Sequence, residues 1–584
     1  MNDGDRKTVW GARLDAKAGE WIRFDWTTAQ DIGGIVLYTP GPYLASFDVE
    51  VATAAGWERL ARVASPDLAR LRRIAVPLPA RRTSSLRLAN LARTADGVPA
   101  FNEVEIYPDR ETIDRMNAEV DIAVSGDSRG NLIGTVSKDM GATGLSGVAV
   151  NIRGENWTRA ATTAENGFFA VGIPLGVRGR VTVAAGGREL TVDAADLPLR
   201  LTARPRSGRL SLEGKWEILV DPPADRRQAS GWKPIDVPSN WEMKGFRAAS
   251  GTAVMRRTFD LPGSWQGKTI KLRAEAVYSR CEAWLNGVRV GSHDGGATPV
   301  EFDLTDAARF GRTNTLEVLI RARSRASEID HMSVYAYFEI AGIWRPIEVF
   351  AVEPAHVSRV HWAVAFDKDY KNADLVVDAT VANEQAAGVT NGRLGLRLVG
   401  PDGRVVKTET SNVSLGAWEE KAVPSTLHVE APEPWTAERP RLYTLEASFN
   451  GATVETPVGF REMKVEGRRF TINGRGAKLF GVCLHAASPT DGRAISPALV
   501  EKDLELIKGC NLNAIRTSHY PPHPHTPEYA DRVGLYIEDE GPACWSETDD
   551  LRDVPLYMGI YASFVERDRN HPSVVYWSMC NESN

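Results

Sequence analysis

Cysteine is scarce in this chain: five in 584 residues, at Cys281, Cys483, Cys510, Cys544 and Cys580. The number is odd and no two are spaced CxxC, which argues against a disulfide framework and against a structural zinc. No apolar run approaches the roughly 20 residues that a membrane-spanning helix needs. The formal net charge of −6 leaves no basic field for nucleic acid. Neither a membrane nor a nucleic acid is therefore expected as a partner. The opening stretch, MNDGDRKTVWG, lacks the charged-then-apolar pattern of an export signal, which implies a cytoplasmic protein or a signal outside this sequence. Long amphipathic helices are also missing from the first four-fifths of the chain.

What is there instead is short, alternating or apolar runs punctuated by Gly, Pro, Asn and Asp at hairpin spacing. That is the pattern of β-sandwiches. A chain of this length exceeds one core, so several domains are expected. WIRFDW, SFDVEVATAAGWERL and FNEVEIYP mark a first block over residues 1–108. Its Trp10, Trp21 and Trp26 are read first as core and second as sugar-stacking surfaces. A second block, 119–205, has Asn166-Gly167 as a hairpin turn. A third spans 206–355, with Asn286-Gly287 closing another hairpin, and a fourth spans 356–465.

At about residue 466 the pattern changes. KLFGVCLHA is a strand, and SPALVEKDLELIKGCN is an amphipathic helix starting at Ser496-Pro497, with Leu499, Leu504, Leu506 and Ile507 at helical spacing. LNAIRTSHYP, LYIEDE and SVVYWSMCNE read as further strands, separated by helices at PEYADRVG and VPLYMGIYASFVERDRNHP. Alternating strands and helices with short links imply parallel strands and right-handed crossovers. Four such units are half of an eight-fold (β/α)8 TIM barrel. The fold class is thus multidomain and mainly β, four sandwich or jelly-roll domains followed by a partial barrel over 466–584.

Barrels of this kind place their chemistry at the carboxyl ends of the strands. Those ends carry His485; Arg516 with His519 and Tyr520; Asp539 and Glu540; and Asn581 with Glu582. The cluster His519, His523 and His525 lacks an HExxH or CxxC companion, so His523 and His525 are read as a solvated loop and no metal site is expected.

NAIRTSHYPPHPHTPEYADRVGLYIEDE (513–540) and RDRNHPSVVYWSMCNES (567–583) resemble the two signature segments of glycoside hydrolase family 2, the family of β-galactosidases, β-glucuronidases and β-mannosidases. LEGKWEI, DVPSNWEMKGF, AWLNGVRVGSHDGGATPVEFDLT and AGIWRPIEVF resemble its sugar-binding jelly-roll domain, and 356–465 its immunoglobulin-like domain. The first block resembles a discoidin-like sandwich, and the second a carboxypeptidase-regulatory, transthyretin-like one. The resemblance implies Glu582 as general acid/base and Asn581 as the partner of the sugar 2-hydroxyl. It puts His485 and His519 on the sugar pocket and makes Arg516 an orienter of carboxylates, with Tyr520 a further substrate contact or a brace for the loop before Pro521. A glycosidic oxygen leaves only when protonated, so the acid must hold its proton near neutral pH, by an apolar wall or a negative neighbour. The family's nucleophile lies at the tip of the seventh strand, beyond residue 584. The chain is therefore expected to be interrupted, and inactive alone. Asp539 and Glu540 are read as structural or charge-setting.

Two departures bear on substrate. Metal-dependent β-galactosidases carry a Glu and a His where Cys544 and Ser546 stand, so no magnesium site of that type and no other cofactor is expected. Ala336 occupies the place of an Asp that touches the sugar in several members. The implied activity is an exo-acting retaining β-glycosidase on an oligo- or polysaccharide, β-galactosidase first, β-glucuronidase or another family 2 glycosidase second. A degenerate carbohydrate-binding protein is the alternative of a different class. Stacked sandwiches suit a periplasmic or extracellular parent protein. Oligomeric state, a homo-oligomer included, is left open.

Overall fold

The computed structural model describes residues 10–11, 21–38, 44–64, 73–93, 100–101, 103–197, 200–223, 230–336, 339–546 and 550–583. The chain is mainly β and multidomain. A five-stranded antiparallel sheet comes first, ordered Gly56–Ala64, Leu44–Thr53, Arg73–Arg93, Trp21–Tyr38, Glu103–Tyr107. Alternate residues of these strands (Ile35, Leu37, Val49, Val51, Leu86, Leu88) are fully buried, as period-2 patterning requires. Trp21 is half exposed and Trp26 only partly buried against this core, so neither is the buried core tryptophan expected. The Trp10 side chain lies outside the described residues.

Two four-stranded sheets follow between Asp121 and Asp193, around Val136, Val150, Ile152, Phe169 and Val183. The turn at Asn166-Gly167 forms, with Gly167 at φ +77° donating to Ala164 at 2.9 Å. It does not close a hairpin. Thr158–Thr162 pairs with Ala149–Arg153 in one sheet, while Phe168–Gly172 pairs with Asn131–Lys138 in the other. The local turn chemistry is that of a hairpin, but core burial on both sheets sends its two arms apart. Asn286-Gly287, by contrast, does join paired strands, Leu285 facing Val288, with φ of +54° and +81°.

The jelly roll packs a six-stranded sheet on a four-stranded one around Trp216, Trp241, Ile270 and Val349. The next sandwich packs three strands on four around Leu375, Val377, Leu396 and Phe449.

The barrel portion has strands β1 (Gly481–Cys483), β2 (Ala514–Arg516), β3 (Tyr536–Glu540) and β4 (Val574–Ser578), parallel and in that order. Between them run helices α1 (Pro497–Gly509), α2 (His525–Val533) and α3 (Val554–Asp568). Helix α1 begins as its sequence demands: Ser496 accepts from the Leu499 amide and Pro497 opens the helix. Its buried side chains are Val500 and Leu504, with Leu499 and Ile507 partly covered, whereas Leu506 is exposed. The buried stripe is rotated by part of a turn from the one the sequence predicts, because i, i+4 from Val500 to Leu504 is the pair that meets Ile515 and Ile537.

His523 and His525 do not form a solvated loop. His523 is buried and accepts from the His525 amide at 3.1 Å; burial, with Arg345 and Arg567 nearby, brings its pKa down to about 3. His525 opens α2 and lies 2.8 Å from Glu501 and 3.1 Å from Glu528. The reason is tertiary: Arg345 of the jelly roll donates to the carbonyls of Pro521 (2.5 Å) and Ala297 (2.7 Å), closing that domain over the loop.

Other contacts fix the remaining domains. Trp435 donates its indole N–H to Asp531 O at 2.9 Å, and Gly534 abuts Ala437 so closely that a Cβ there would lie 2.1 Å from its carbonyl oxygen. The second sandwich leans on α3 through Ser128 Oγ to Ala562 O (2.8 Å).

Candidate active site

The carboxyl ends of β2, β3 and β4 are tied together by one carboxylate. Glu540 has no solvent exposure. It accepts from Arg516 Nε at 2.5 Å, His519 Nδ1 at 2.8 Å and Ser578 Oγ at 2.8 Å. Parallel register makes this possible by setting Glu540 opposite Ser578, with Arg516 opposite Glu538. Arg516 also donates to Asn581 Oδ1 at 3.1 Å, and the Asn581 amide lies 3.5 Å from Cys544 Sγ. Hydrogen bonds to charged groups are among the stronger ones, which suits Glu540 to holding these tips in place.

The segment after β4 pairs with the loop after β3. Asn581 N donates to Ala543 O and Trp545 N to Asn581 O, both at 2.9 Å. That pairing brings the Trp545 indole N–H to 2.8 Å from Glu582 Oε2. Both residues have left-handed backbones, φ +52° at Trp545 and +47° at Glu582. Non-glycine residues held there cost of order 1–3 kcal/mol and tend to cluster at functional sites. Glu582 is exposed, so no apolar wall encloses it.

Beside this contact lies a cavity of about 530 Å³, lined by His485, His519, Arg493 and Trp545 from the barrel and by Met243 and Ala336 from the jelly roll. The His485 and His519 rings meet edge to face, 5.1 Å between centroids. Burial lowers the pKa of His485, and the positive charge of Arg493 works in the same direction. Tyr520 sits behind this wall. It is buried, its hydroxyl bonded to Arg493, whose guanidinium lies 4.8 Å over the ring. Asp539 faces inward: burial and the neighbouring Asp568 carboxylate raise its pKa well above the usual range.

Of the six residues predicted for the site, Arg516, His519 and Asn581 share one hydrogen-bonded network with Glu540. His485 joins His519 on the cavity wall, Glu582 is held by Trp545, and Tyr520 stands behind. Trp545, Arg493 and Met243 were not singled out from the sequence. Trp545 could have been, as an aromatic five residues past the tip of β3. Met243 could not, because a turn in another domain carries it there, positioned by Lys244 bonding Asp491 at 2.8 Å. Cys544 contacts Asn581, and Ser546 Oγ is bonded to the Tyr557 hydroxyl.

Such an arrangement, parallel strand–helix units with polar side chains gathered at the strand tips, defines a barrel-based site in a multidomain, mainly β chain. Three family profiles match it in succession: "Glycosyl hydrolases family 2, sugar binding domain" over 210–353, "Glycosyl hydrolases family 2" over 355–461, and "Glycosyl hydrolases family 2, TIM barrel domain" over 463–584. The chain belongs to glycoside hydrolase family 2. It is 32% identical over 445 residues to a β-galactosidase of Arthrobacter sp. (strain B7), covering 66% of this chain and 41% of that one. To a β-galactosidase of Vibrio vulnificus (strain CMCP6) it is 29% identical, covering 64% and 40%. The chain thus spans about two-fifths of the length of these relatives. Among solved structures, a Bacteroides uniformis β-glucuronidase aligns with TM-score 0.57 at 26% identity, covering 63% of this chain and 46% of that one. A family 2 member from Bacteroides cellulosilyticus shares the fold at TM-score 0.58 and 24% identity, covering 65% and 53%.

Proposed function

We propose that these residues belong to an exo-acting retaining β-glycosidase, β-galactosidase-like, in which Glu582 is the general acid/base. Glu582 would protonate the departing glycosidic oxygen and later take a proton from the attacking water. Asn581, its carbonyl oxygen engaged by Arg516, would present its amide to the sugar 2-hydroxyl. His485 and His519 would line the pocket for the terminal sugar, and Tyr520 would brace His485 and Arg493 from behind. The observation that carries this reading is the single network joining Arg516, His519, Glu540 and Asn581 next to Glu582, built from three successive strand tips. Relatives named β-galactosidase support the sugar class. The β-glucuronidase neighbour supports a second reading, a β-glucuronidase.

A retaining mechanism needs a second carboxylate about 5–5.5 Å from the first. Glu540 is saturated by Arg516, His519 and Ser578, which suits it to setting charge rather than to attack. We therefore expect the 584 residues alone to be inactive on nitrophenyl β-glycosides. A protein carrying a complete barrel should turn over the β-galactoside and lose that activity on Glu582→Gln. Turnover by the 584 residues alone would overturn the nucleophile reasoning. Full activity of Glu582→Gln in a complete barrel would overturn the acid/base assignment. A complete barrel that binds but never hydrolyses would favour the carbohydrate-binding alternative.

A further inference from the structure

A second cavity, of about 430 Å³, lies where three sandwiches meet, and among the described residues none of the barrel lines it. One side is the segment Pro174–Gly179 of the second sandwich, another the jelly-roll residues Thr269, Lys271 and Asp303, and the rim is Trp418 of the immunoglobulin-like domain. Its volume falls within the range of small-ligand sites, roughly 300–1,000 Å³, and domain junctions are favoured places for them.

Trp418 is the unusual feature. It occupies the turn between strands Val405–Leu415 and Glu420–Glu430 with φ +54°, a conformation that glycine or asparagine would adopt at lower cost. Its side chain is 41% exposed despite its size. The ring rests on Gly176, where a Cβ would stand 2.3 Å from a ring carbon. Strained backbone and a side-chain-free seat together hold a large aromatic face at the cavity mouth.

The polar lining is self-compensated. Lys271 lies 3.0 Å from Glu384 and 3.7 Å from Asp303; Arg178 lies 2.7 Å from Asp303 and 3.4 Å from Asp306. The lining's four cations and five carboxylates are mostly paired, and they offer fixed donors and acceptors side by side. Arg200, also on the lining, is paired with Glu420 at 3.6 Å and donates to Ile173 O at 2.9 Å. A ring face beside alternating hydrogen-bond donors and acceptors is complementary to a pyranose, which has an apolar C–H face and a rim of hydroxyls.

We propose that this cavity is a glycan-binding site distinct from the barrel mouth, taking a neutral hexopyranosyl unit of an oligosaccharide against Trp418. The proposal goes beyond the glycosidase reading and does not depend on it: binding here survives even if the barrel is inert. It is tested by calorimetric titration of the Glu582→Gln chain with galactotetraose, cellotetraose and xylotetraose. At least one is expected to bind, Trp418→Ala to weaken that binding tenfold or more, and Arg178→Gln to weaken it severalfold. Trp418→Phe should keep it within about threefold, and Trp545→Ala at the barrel mouth should leave it unchanged. Unaltered melting temperatures of the Trp418 variants exclude misfolding as the cause. The proposal is overturned if none of the three binds, if Trp418→Ala and Arg178→Gln both bind like the parent, or if Trp545→Ala abolishes the signal.

Discussion

Neutralising Glu540 tests whether one buried carboxylate holds the strand tips together. In Glu540→Gln the shape is kept, but one acceptor oxygen becomes an NH2 that faces Arg516 Nε or His519 Nδ1. Two unit charges about 4 Å apart at an effective dielectric near 20 attract by about 4 kcal/mol. Removing one partner of a buried pair commonly costs about 3–5 kcal/mol. Two features reduce this: Gln retains one oxygen, and the Arg516 side chain is 29% exposed, so water can compensate it in part. The net loss should be about 2–3 kcal/mol, localised to the tips of β2 to β4. Hydrogen exchange by mass spectrometry reads this directly in peptides spanning Ala514–Arg516 and Val574–Ser578. At 1.4 kcal/mol per factor of ten, exchange should quicken by about 30- to 150-fold there. Peptides of the first sandwich should be unaffected. Protection of the barrel peptides within threefold of the parent would refute the idea that Glu540 is their common tie.

Further predictions concern the frame around the site. His571 is partly buried with Nδ1 2.6 Å from Asp531 Oδ2; burial opposes its charge, but the Asp531 carboxylate outweighs burial and raises its pKa above 6.5. A raised histidine stabilises fully below its unfolded value and loses that contribution as pH climbs through the folded one, while His485 and His523, whose pKa values are lowered, act in the opposite sense; His571 should therefore add more to the barrel's urea resistance near about pH 5.5 than near about pH 8.5. The gap in urea midpoint between the parent and His571→Asn should be wider at the lower pH, and an equal gap at both would count against the pairing. Gly534→Ala should destabilise the barrel–sandwich junction by at least about 1 kcal/mol, since φ is +77° and the new Cβ would meet Ala437 O. The check is chemical denaturation, where an unshifted midpoint would contradict the close approach.

The sequence by itself determined what depends on neighbours a few residues apart. Ser496-Pro497 starts α1 because capping uses the first turn alone, and Asn286-Gly287 turns because two left-handed residues suffice. Four parallel strands in sequential order followed from alternating strand and helix patterns with short links. The polar residues at the strand tips were legible because each follows an apolar run. Tertiary structure decided what depends on which surfaces meet. Asn166-Gly167 forms its turn, yet its arms join different sheets, since pairing is selected by core burial and not by the turn. His523 looks solvated between prolines until Arg345, 178 positions earlier, closes the jelly roll over it. Trp418 gains its setting only because Gly176 of another domain leaves room for the ring, and Trp545 finds Glu582 only because two loops pair. Short-range stereochemistry is written residue by residue; a site shared among domains exists only once their buried faces have chosen one another.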